Sequence, residues 1–464
     1  MKNTSMTEGN IFKQILVFTL PLLLGNLFQQ LYNTVDVIVV GNYVGKDALA
    51  AVGSSTPIIN MLVGFFVGVS TGASVVIAQF FGAGDKRKLR DAVHASVWAT
   101  IVLGILFTIL GVVFSPFMLR IIKTPDEVFD NAVLYLRIYF FSIGGLMVYN
   151  IGAAILRAVG DSKRPLYFLC FSSIVNIVLD ILFVVVFKMG IAGVAWATLA
   201  AQIMSAVMVM LLLFKTHEGY KVEAKYLIYN GSMIKRIMAI GLPSGFQQLI
   251  TAVSNVIVQS YVNQFGSAAI AGFGAYLKID NFLLLPIQSI ALAVITFTGQ
   301  NLGAGKIKRA KEGVRVALIM TMVSNIVLCL ILFFEGKYVL RIFSPDPGVV
   351  YYGNLLIKIF MPVYFTLGIC LIYSGAMRGF GEAIAPMVIM TSCFVVLRQV
   401  FLFVGTHVVF SFNVIALGYP ITWVASGIAT YLYYKKGRWA KRCIGILENN
   451  NVLEINDSSR TDAL

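Results

Sequence analysis

Two acidic residues lie within long apolar runs of the chain, Asp36 in residues 11–40 and Asp180 in residues 166–187. A carboxyl group in so apolar a segment is costly and suggests a function. On a helix, Asn176 and Asp180 lie one turn apart and share a face with Ser173. Oxygen ligands of these types suit a hard ion such as Na⁺, and a desolvated acid beside a second acid can hold a proton. The residues predict a site for H⁺, Na⁺ or an organic cation.

Other polar residues recur at helical spacing and predict the walls of a water-filled cavity. In the first run, Asp36 ends a stripe that spans an arc of roughly 80°. The stripes are Asn26, Gln29, Asn33 and Asp36; Thr198, Gln202 and Ser205; and Ser244, Gln248, Thr251, Asn255 and Gln259. The alternative is that the acids only hold helices together through hydrogen bonds, as polar groups in membranes sometimes do.

Three further charged residues, Lys278, Asp280 and Arg398, lie in apolar runs of the second half. Two interpretations stay open, a structural salt bridge between Asp280 and Arg398 or a contribution to substrate binding. Pro21 interrupts the first run and predicts either a static kink or a bend that changes during function.

The composition predicts an all-α integral membrane protein. The chain has 464 residues, of which 58% are hydrophobic and 12% charged, whereas soluble domains carry roughly 25% charged residues. Twelve runs approach or exceed the ~20 residues that cross a bilayer. They are 11–40, 51–81, 93–114, 132–156, 166–187, 191–214, 233–262, 268–302, 316–334, 351–377, 387–410 and 413–434.

The net charge of +15 reflects topology and contact with anionic lipid rather than binding to nucleic acid. Lys and Arg alternate between loops, with 23 on one side of the predicted membrane and 6 on the other. The positive-inside rule then places both termini in the cytoplasm of a multi-pass plasma-membrane protein. We find no nucleophile paired with a base and no metal-ligand cluster, so an enzyme is the least favoured class.

The chain repeats itself at an offset of 221 residues. Gln79 and the Gly-Ala-Gly that ends at Gly84 return as Gln300 and the Gly-Ala-Gly that ends at Gly305. Arg157, Gly160, Asp161 and Pro165 return as Arg378, Gly381, Glu382 and Pro386, and Gly45, Ala48, Ala50 and Gly53 as Gly266, Ala269, Ala271 and Gly274. The repeat predicts two six-helix lobes with a substrate cavity between them, and we interpret the repeated loops as hinges or caps.

The predicted organisation has five parts. They are a cytoplasmic segment 1–10, an amino-terminal lobe 11–214, a linker 215–232, a carboxyl-terminal lobe 233–434 and a basic, then disordered, tail 435–464. The linker region is basic and predicts an amphipathic segment on the cytoplasmic leaflet. The two intramembrane acids belong to one lobe only, because their counterparts at 257 and 401 are Ile and Phe.

Taken together, these motifs resemble the MATE family of multidrug and toxic compound extrusion transporters, over roughly residues 10–440. The resemblance rests on residues 21–36, 41–50, 79–84 and 157–165 with their repeats, and on the order Asp36, Asn176, Asp180, Thr198. It is strongest to the prokaryotic DinF-type branch and implies that these four residues couple transport to H⁺ or Na⁺. The NorM-type branch adds acids in the seventh and tenth spans, and none is present here.

The resemblance implies antiport of amphipathic, often cationic compounds against H⁺ or Na⁺, by a monomer that needs no other cofactor. We place Asn26, Gln29, Asn33, Gln202, Gln248, Thr251, Asn255, Lys278, Asp280 and Arg398 in the substrate cavity. One alternative is a flippase for lipid-linked intermediates, which would favour an Arg-rich cavity. Another is a channel or a non-transporting membrane scaffold.

Overall fold

The fold is a bundle of long helices, as the apolar runs predict. The computed structural model describes residues 5–437, so Cys443 and most of the predicted tail lie outside the described residues. Every regular element in that range is helical. Eleven helices are long and apolar enough to cross a membrane, and a pair bent by 56° forms a twelfth, broken span. The prediction of twelve spans is confirmed.

The helices of the amino-terminal lobe follow the predicted runs and extend past most of them. Amphipathic turns, which a hydropathy pattern does not capture, continue the backbone hydrogen bonding beyond the apolar core. The helices are α1 Ile11–Val39, α2 Lys46–Ala83, α3 Lys86–Ile121, α4 Asp126–Ala158, α5 Lys163–Asp180 and α6 Gly190–Lys215. Two π-helical turns follow α1 and α5, at Val40–Val44 and Ile181–Val186.

The carboxyl-terminal lobe repeats this order with two of its spans interrupted. Its helices are α7 Gly231–Val262, α8 Ser267–Gly303, α9 Ile307–Phe343, α10 Pro347–Phe360, α11 Phe365–Gly379, α12 Ile384–Thr391, α13 Arg398–Val408 and α14 Phe412–Lys436. The broken span is α10 with α11, joined by a short 3₁₀ turn at Met361–Val363. A π-helical turn at Ser392–Leu397 joins α12 to α13.

The repeated loops end and begin helices, as predicted. Gly84 and Gly305 take left-handed backbone conformations, with φ of 72° and 70°, just after α2 and α8. Asp161 accepts hydrogen bonds from the first backbone N–H groups of α5, and Glu382 does the same for α12, at 3.1 Å each. These caps satisfy N–H groups that have no partner inside the helix.

Glycines allow the two lobes to pack closely along α2 and α7. A side chain at Gly68 would overlap the backbone of Ser244 and Gly245, and one at Gly72 would overlap Ile237 and Gly241. Small residues of this kind let helix backbones approach within a membrane. The packing extends to the end of the bundle that carries residues 82–92, 157–165, 215–236, 303–315 and 378–386, which we call the basic face.

The linker packs on the amino-terminal lobe, and its contact with the cytoplasmic leaflet stays a prediction. It contains only a 3₁₀ turn, Ala224–Tyr226, and its Tyr220 and Val222 are buried in a cluster with residues of α2, α3 and α4. The backbone N–H of Glu223 donates to Nε2 of His94 at 2.9 Å. The ammonium of Lys225 lies 2.8 Å from the Glu223 carboxylate and lowers the pKa of that carboxyl.

We expect Gly72→Ala to destabilise the protein and Gly53→Ala to leave it unharmed. A methyl group at position 72 overlaps the backbone of α7, and such overpacking costs about 1–3 kcal/mol. Gly53 is exposed in the same helix with nothing near its Cβ position, so alanine there is neutral or stabilises by roughly 0.5–1 kcal/mol. Thermal unfolding in detergent measures both. Equal midpoints would contradict the close contact between α2 and α7.

Candidate functional site

A cavity of about 180 Å³ opens among the helices of the amino-terminal lobe. From the predicted set, α1 contributes Asn26 and Gln29, α5 contributes Asn176, and α6 contributes Thr198 and Gln202. The predicted stripes of these three helices therefore face one another. Pro21 lines the same cavity, inside a helix α1 that continues without a break to Val39.

Asp36 and Asp180 form a pair beside this cavity. Their side chains lie close enough to interact directly, although they come from α1 and α5. Asp180 is fully buried and Asn176 is 2% exposed. Both carboxylate oxygens of Asp180, Oδ1 of Asp36 and both polar atoms of the Asn176 amide have no hydrogen-bond partner within residues 5–437.

The chemistry of such a pair restricts what can stabilise it. An ionised carboxylate can only accept hydrogen bonds, and two like charges in contact repel in a medium of low dielectric constant. Contact between the two side chains is favourable when a proton is shared between them or when a cation lies against both. The unpaired amide of Asn176, one turn from Asp180, adds an oxygen that could contact such a cation.

Each acid is followed closely by a π-helical turn. The turn Val40–Val44 begins four residues after Asp36, and the turn Ile181–Val186 begins at the residue after Asp180. The two turns contact each other. A π turn accommodates an extra residue and so changes which face of the helix carries the following side chains, and such turns are frequent at functional sites.

Several residues of the site were missed by the sequence pattern. Tyr149, Asn150 and Arg157 line the cavity from α4, and Tyr32 lines it from α1. Tyr135 of α4 lies near both acids. Tyr32 could have been predicted, because residues four apart lie on the same face of a helix and Tyr32 is four residues before Asp36. Nothing in the sequence indicated which face of α4 would contact α5.

Five predicted residues with exposed or half-buried side chains lie outside this cavity. Asn33, Gln248, Asn255 and Lys278 are exposed, and Thr251 is half-buried. All of them lie on the first helix of the amino-terminal lobe, α1, or on the first two helices of the carboxyl-terminal lobe, α7 and α8. These side chains are accessible on the surface of the protein and do not line the cavity of the amino-terminal lobe.

The predicted salt bridge between Asp280 and Arg398 is wrong. Oδ1 of Asp280 accepts hydrogen bonds from the hydroxyls of Tyr276 and Tyr364, at 2.9 and 2.8 Å. Tyr276 lies one helical turn before Asp280, and Tyr364 lies at the break between α10 and α11. Hydroxyl donors meet the hydrogen-bonding needs of this carboxylate, so a cation is not required for that purpose.

Arg398 instead contacts polar and aromatic groups. Its guanidinium donates to Asn255 at 3.1 Å and to Thr422 at 3.3 Å, and it lies 4.3 Å from the ring centre of Tyr419. A guanidinium over an aromatic face is a favourable arrangement. Arg398 is 2% exposed. The structure therefore buries this predicted substrate residue instead of placing it in a cavity.

The comparisons with known proteins agree with this arrangement. The MatE family model matches residues 21–182 and 243–404, one match in each half of the repeat. The Bacillus subtilis (strain 168) protein named "Probable multidrug resistance protein YpnP" is 31% identical over 445 residues, which are 95% of this chain and 98% of that protein. The "FAD transporter" of Shewanella oneidensis is 24% identical and spans 92% of this chain and 95% of its own length.

A solved structure supports the fold. The crystal structure titled "Outward-facing conformation of a multidrug resistance MATE family transporter of the MOP superfamily" superposes with a TM-score of 0.89 and 22% identity. The superposition covers 95% of this chain and 98% of that one. At this identity the likeness establishes the fold alone.

We expect Asp280→Ala to lower stability more than Asp280→Asn. Alanine leaves the buried hydroxyls of Tyr276 and Tyr364 without their acceptor, and an unsatisfied buried group costs about 1–3 kcal/mol. Asparagine keeps a carbonyl oxygen in the same place. The measurement is thermal unfolding of the purified variants. If Asp280→Asn unfolds as the wild type does yet loses transport, Asp280 acts on substrate or coupling ion rather than on structure.

Proposed function

The chain belongs to the MatE family of multidrug efflux transporters, and from that premise we propose that it exports amphipathic, mainly cationic organic compounds in exchange for inward H⁺ or Na⁺. The observation that carries this proposal is the proximity of the half-buried Asp36 carboxyl group to the fully buried Asp180 carboxyl group, both of whose oxygens lack a hydrogen-bond partner within residues 5–437. Two acids in contact need a proton or a cation between them, and a site that needs a cation can exchange one.

In the proposed mechanism, Asp36 and Asp180 hold the coupling ion in one conformation and release it in the other. Asn176 and Thr198, on α5 and α6, supply an amide oxygen and a hydroxyl oxygen for Na⁺. The occupancy of the site then biases which side of the protein is open, because a ligand shifts a conformational equilibrium toward the state that binds it better. The coupling ion is a transported substrate of the exchange, and no other cofactor is needed.

The energy of one coupling ion is sufficient for export. One charge that crosses a membrane potential of ~100 mV releases about 2.3 kcal/mol. At about 1.4 kcal/mol per tenfold ratio, this sustains a roughly 50-fold gradient of an uncharged compound. A monovalent cation exported in one-to-one exchange carries the same charge outward, so its export is driven by the pH or Na⁺ gradient of the coupling ion.

We further propose that the protein acts as a monomer in the plasma membrane with its basic face in the cytoplasm. The loops of this face hold most of the Lys and Arg residues outside the spans, and anionic lipid and the positive-inside rule favour that orientation. Both termini then lie in the cytoplasm.

One observation favours a second candidate function, the transport of an anionic amphiphile such as a lipid-linked phosphate. Arg157 lines the amino-terminal cavity, and no hydrogen bond or ion pair of its guanidinium is found within residues 5–437. Its repeat counterpart Arg378 donates to Gln247 at 2.7 Å. A guanidinium without a partner in a cavity can bind a phosphate or carboxylate, and one relative is named an FAD transporter.

We expect Asp36→Asn and Asp180→Asn each to reduce ion-driven transport by about tenfold or more. An amide at either position can neither take up a proton nor supply a charge for Na⁺. The measurement is accumulation of a cationic dye in proteoliposomes under H⁺ and Na⁺ gradients set independently. Asp47→Asn, at an exposed position in the first turn of α2, is the matched control.

Two results of this assay would contradict the proposal. Unchanged coupling in both variants would remove the assignment of the ion site. Dye movement by the wild type only down the dye's own gradient would reject antiport and favour the channel.

Arg157→Gln separates the two candidate substrate classes. If the substrate is anionic, loss of the guanidinium lowers its transport by about tenfold, since a charge-assisted hydrogen bond is worth about 1.5–3 kcal/mol. If the substrate is cationic, transport is maintained or increases, because a like charge is removed from the cavity. The assay compares a cationic dye with an anionic amphiphile, and Arg157→Lys tests whether charge alone is sufficient.

A further inference from the structure

Gln79, in the first copy of the repeated motif, connects the two lobes through both ends of its carboxamide. Its Nε2 donates to the backbone oxygen of Gly379 at 3.1 Å, and its Oε1 accepts from the guanidinium of Arg236 at 3.2 Å. Gln79 belongs to α2 of the amino-terminal lobe, whereas Gly379 and Arg236 belong to α11 and α7 of the other lobe. Both hydrogen bonds therefore cross the interface between the lobes.

Gln300, in the second copy, donates the corresponding bond in the opposite direction and accepts from a different group. Its Nε2 donates to the backbone oxygen of Ala158 at 2.7 Å, and its Oε1 accepts from the backbone N–H of Met6 at 2.8 Å. Gln79 and Gln300 are 221 residues apart, and so are their acceptors Ala158 and Gly379. The same contact is made twice across a local two-fold axis.

The backbones of the two motifs also meet. A side chain at Gly82 would overlap the carbonyl oxygen of Gln300, and one at Gly303 would overlap that of Gln79. A Cβ placed on Gly299 would lie 3.0 Å from the Cβ of Ala78, its own repeat counterpart. Equivalent positions in contact mark the two-fold axis, so the ends of α2 and α8 meet on it at the basic face.

The acceptors in this contact are the carbonyls at helix ends. Ala158 is the last residue of α4 and Gly379 the last of α11, and the final carbonyls of a helix have no partner inside it. Each glutamine supplies that partner from the other lobe. When the lobes separate at this face, water can replace the amide, so the contact can open and close without leaving buried polar groups unsatisfied.

We propose that the carboxamides of Gln79 and Gln300 are the latch of the cytoplasmic gate. They hold the lobes together at the basic face in this conformation and release together when a substrate enters from the cytoplasm. The inference deepens the proposed function, since it rests on transport by alternating access. The repeated Gln and Gly residues thereby gain a second role, a contact between the lobes, beside the predicted role of the loops as helix caps.

Carboxamides suit this role because one neutral group supplies a donor and an acceptor. Glutamate at either position would lose the donated bond, and alanine would lose both. The N-terminal segment takes part in the second half of the latch, since the backbone oxygen of Met6 also accepts from Asn301 at 3.1 Å. Met6 is 3% exposed and packs in a cluster with Phe297 and Leu302.

The first test measures gate opening without relying on transport. Thr71 lines the cavity on α2, and Thr71→Cys in a background free of native cysteines reports access from the basic face. In inside-out vesicles we expect a membrane-impermeant maleimide to react roughly tenfold faster with Gln79→Ala/Gln300→Ala than with the parent. Tenfold corresponds to about 1.4 kcal/mol of closing free energy.

The matched control for labelling is Gln264→Ala, an exposed glutamine that donates only within its own lobe, to Ser260. It should react at the parent rate. Equal rates in parent, control and double variant would overturn the latch. The single variant Gln79→Glu, which removes one donated bond and keeps the acceptor, should show a smaller increase, and it tests the proposal if the double variant does not fold.

The second test locks the gate. Ala78→Cys with Gly299→Cys places two thiols on the two-fold axis, where the Cβ separation of 3.0 Å must widen by about 0.8 Å to reach the mean Cβ separation of disulfides, about 3.8 Å. Oxidation should lower dye transport at least tenfold relative to the same protein reduced, and reduction should restore it. Each single-cysteine variant should show no difference between its oxidised and reduced states.

Two outcomes separate this inference from the proposed function. Full transport by the completely cross-linked protein would overturn the latch while leaving antiport intact. If the reduced protein and the parent transport no dye under any ion gradient, the proposed function fails, and the labelling rates still decide whether the glutamines hold the lobes together.

Discussion

The contact between the carboxyl groups of Asp36 and Asp180 is the interaction on which the amino-terminal lobe depends. An acid removed from water must be neutralised or paired, and here the two acids lie close together without another hydrogen-bond partner for either oxygen of Asp180. The surrounding structure follows from this arrangement. Two π-helical turns begin within four residues after the acids and contact each other, and the polar faces of α1, α5 and α6 converge on one cavity. In the proposed function, a proton or a metal cation completes the electrostatics of the pair.

Much of the fold could be predicted because its signals are local. Apolar runs of bilayer length, the offset of 221 residues and the caps at Asp161 and Glu382 each depend on a few adjacent residues. The sequence could also predict that Asp36, Asn176 and Asp180 belong to one site, because polar residues within the apolar runs are few. The family membership followed from the same motifs and is confirmed by the MatE match in both halves.

What escaped prediction depends on contacts between distant helices. Charge alone suggested Arg398 as the partner of Asp280, but two tyrosine hydroxyls satisfy that carboxylate, one of them on a different span. The π-helical turns have no composition signal, since Ile181–Val186 is simply an apolar stretch. Gln79 and Gln300 were recognised as repeated residues, but their partners, backbone carbonyls of the other lobe, are defined only when the lobes pack.

The contact of Ala78 with its own counterpart Gly299 has a consequence for the symmetry of the whole molecule. An interface in which equivalent positions meet is isologous, the kind that closes a homodimer of identical subunits. Two separate six-helix chains with this interface would each have to carry the acid pair, and the assembly would hold four buried carboxyl groups. A single covalent chain is free of that requirement. Residues 257 and 401 are Ile and Phe in place of acids, so the molecule keeps a symmetric closure while only one of its halves bears the acid pair.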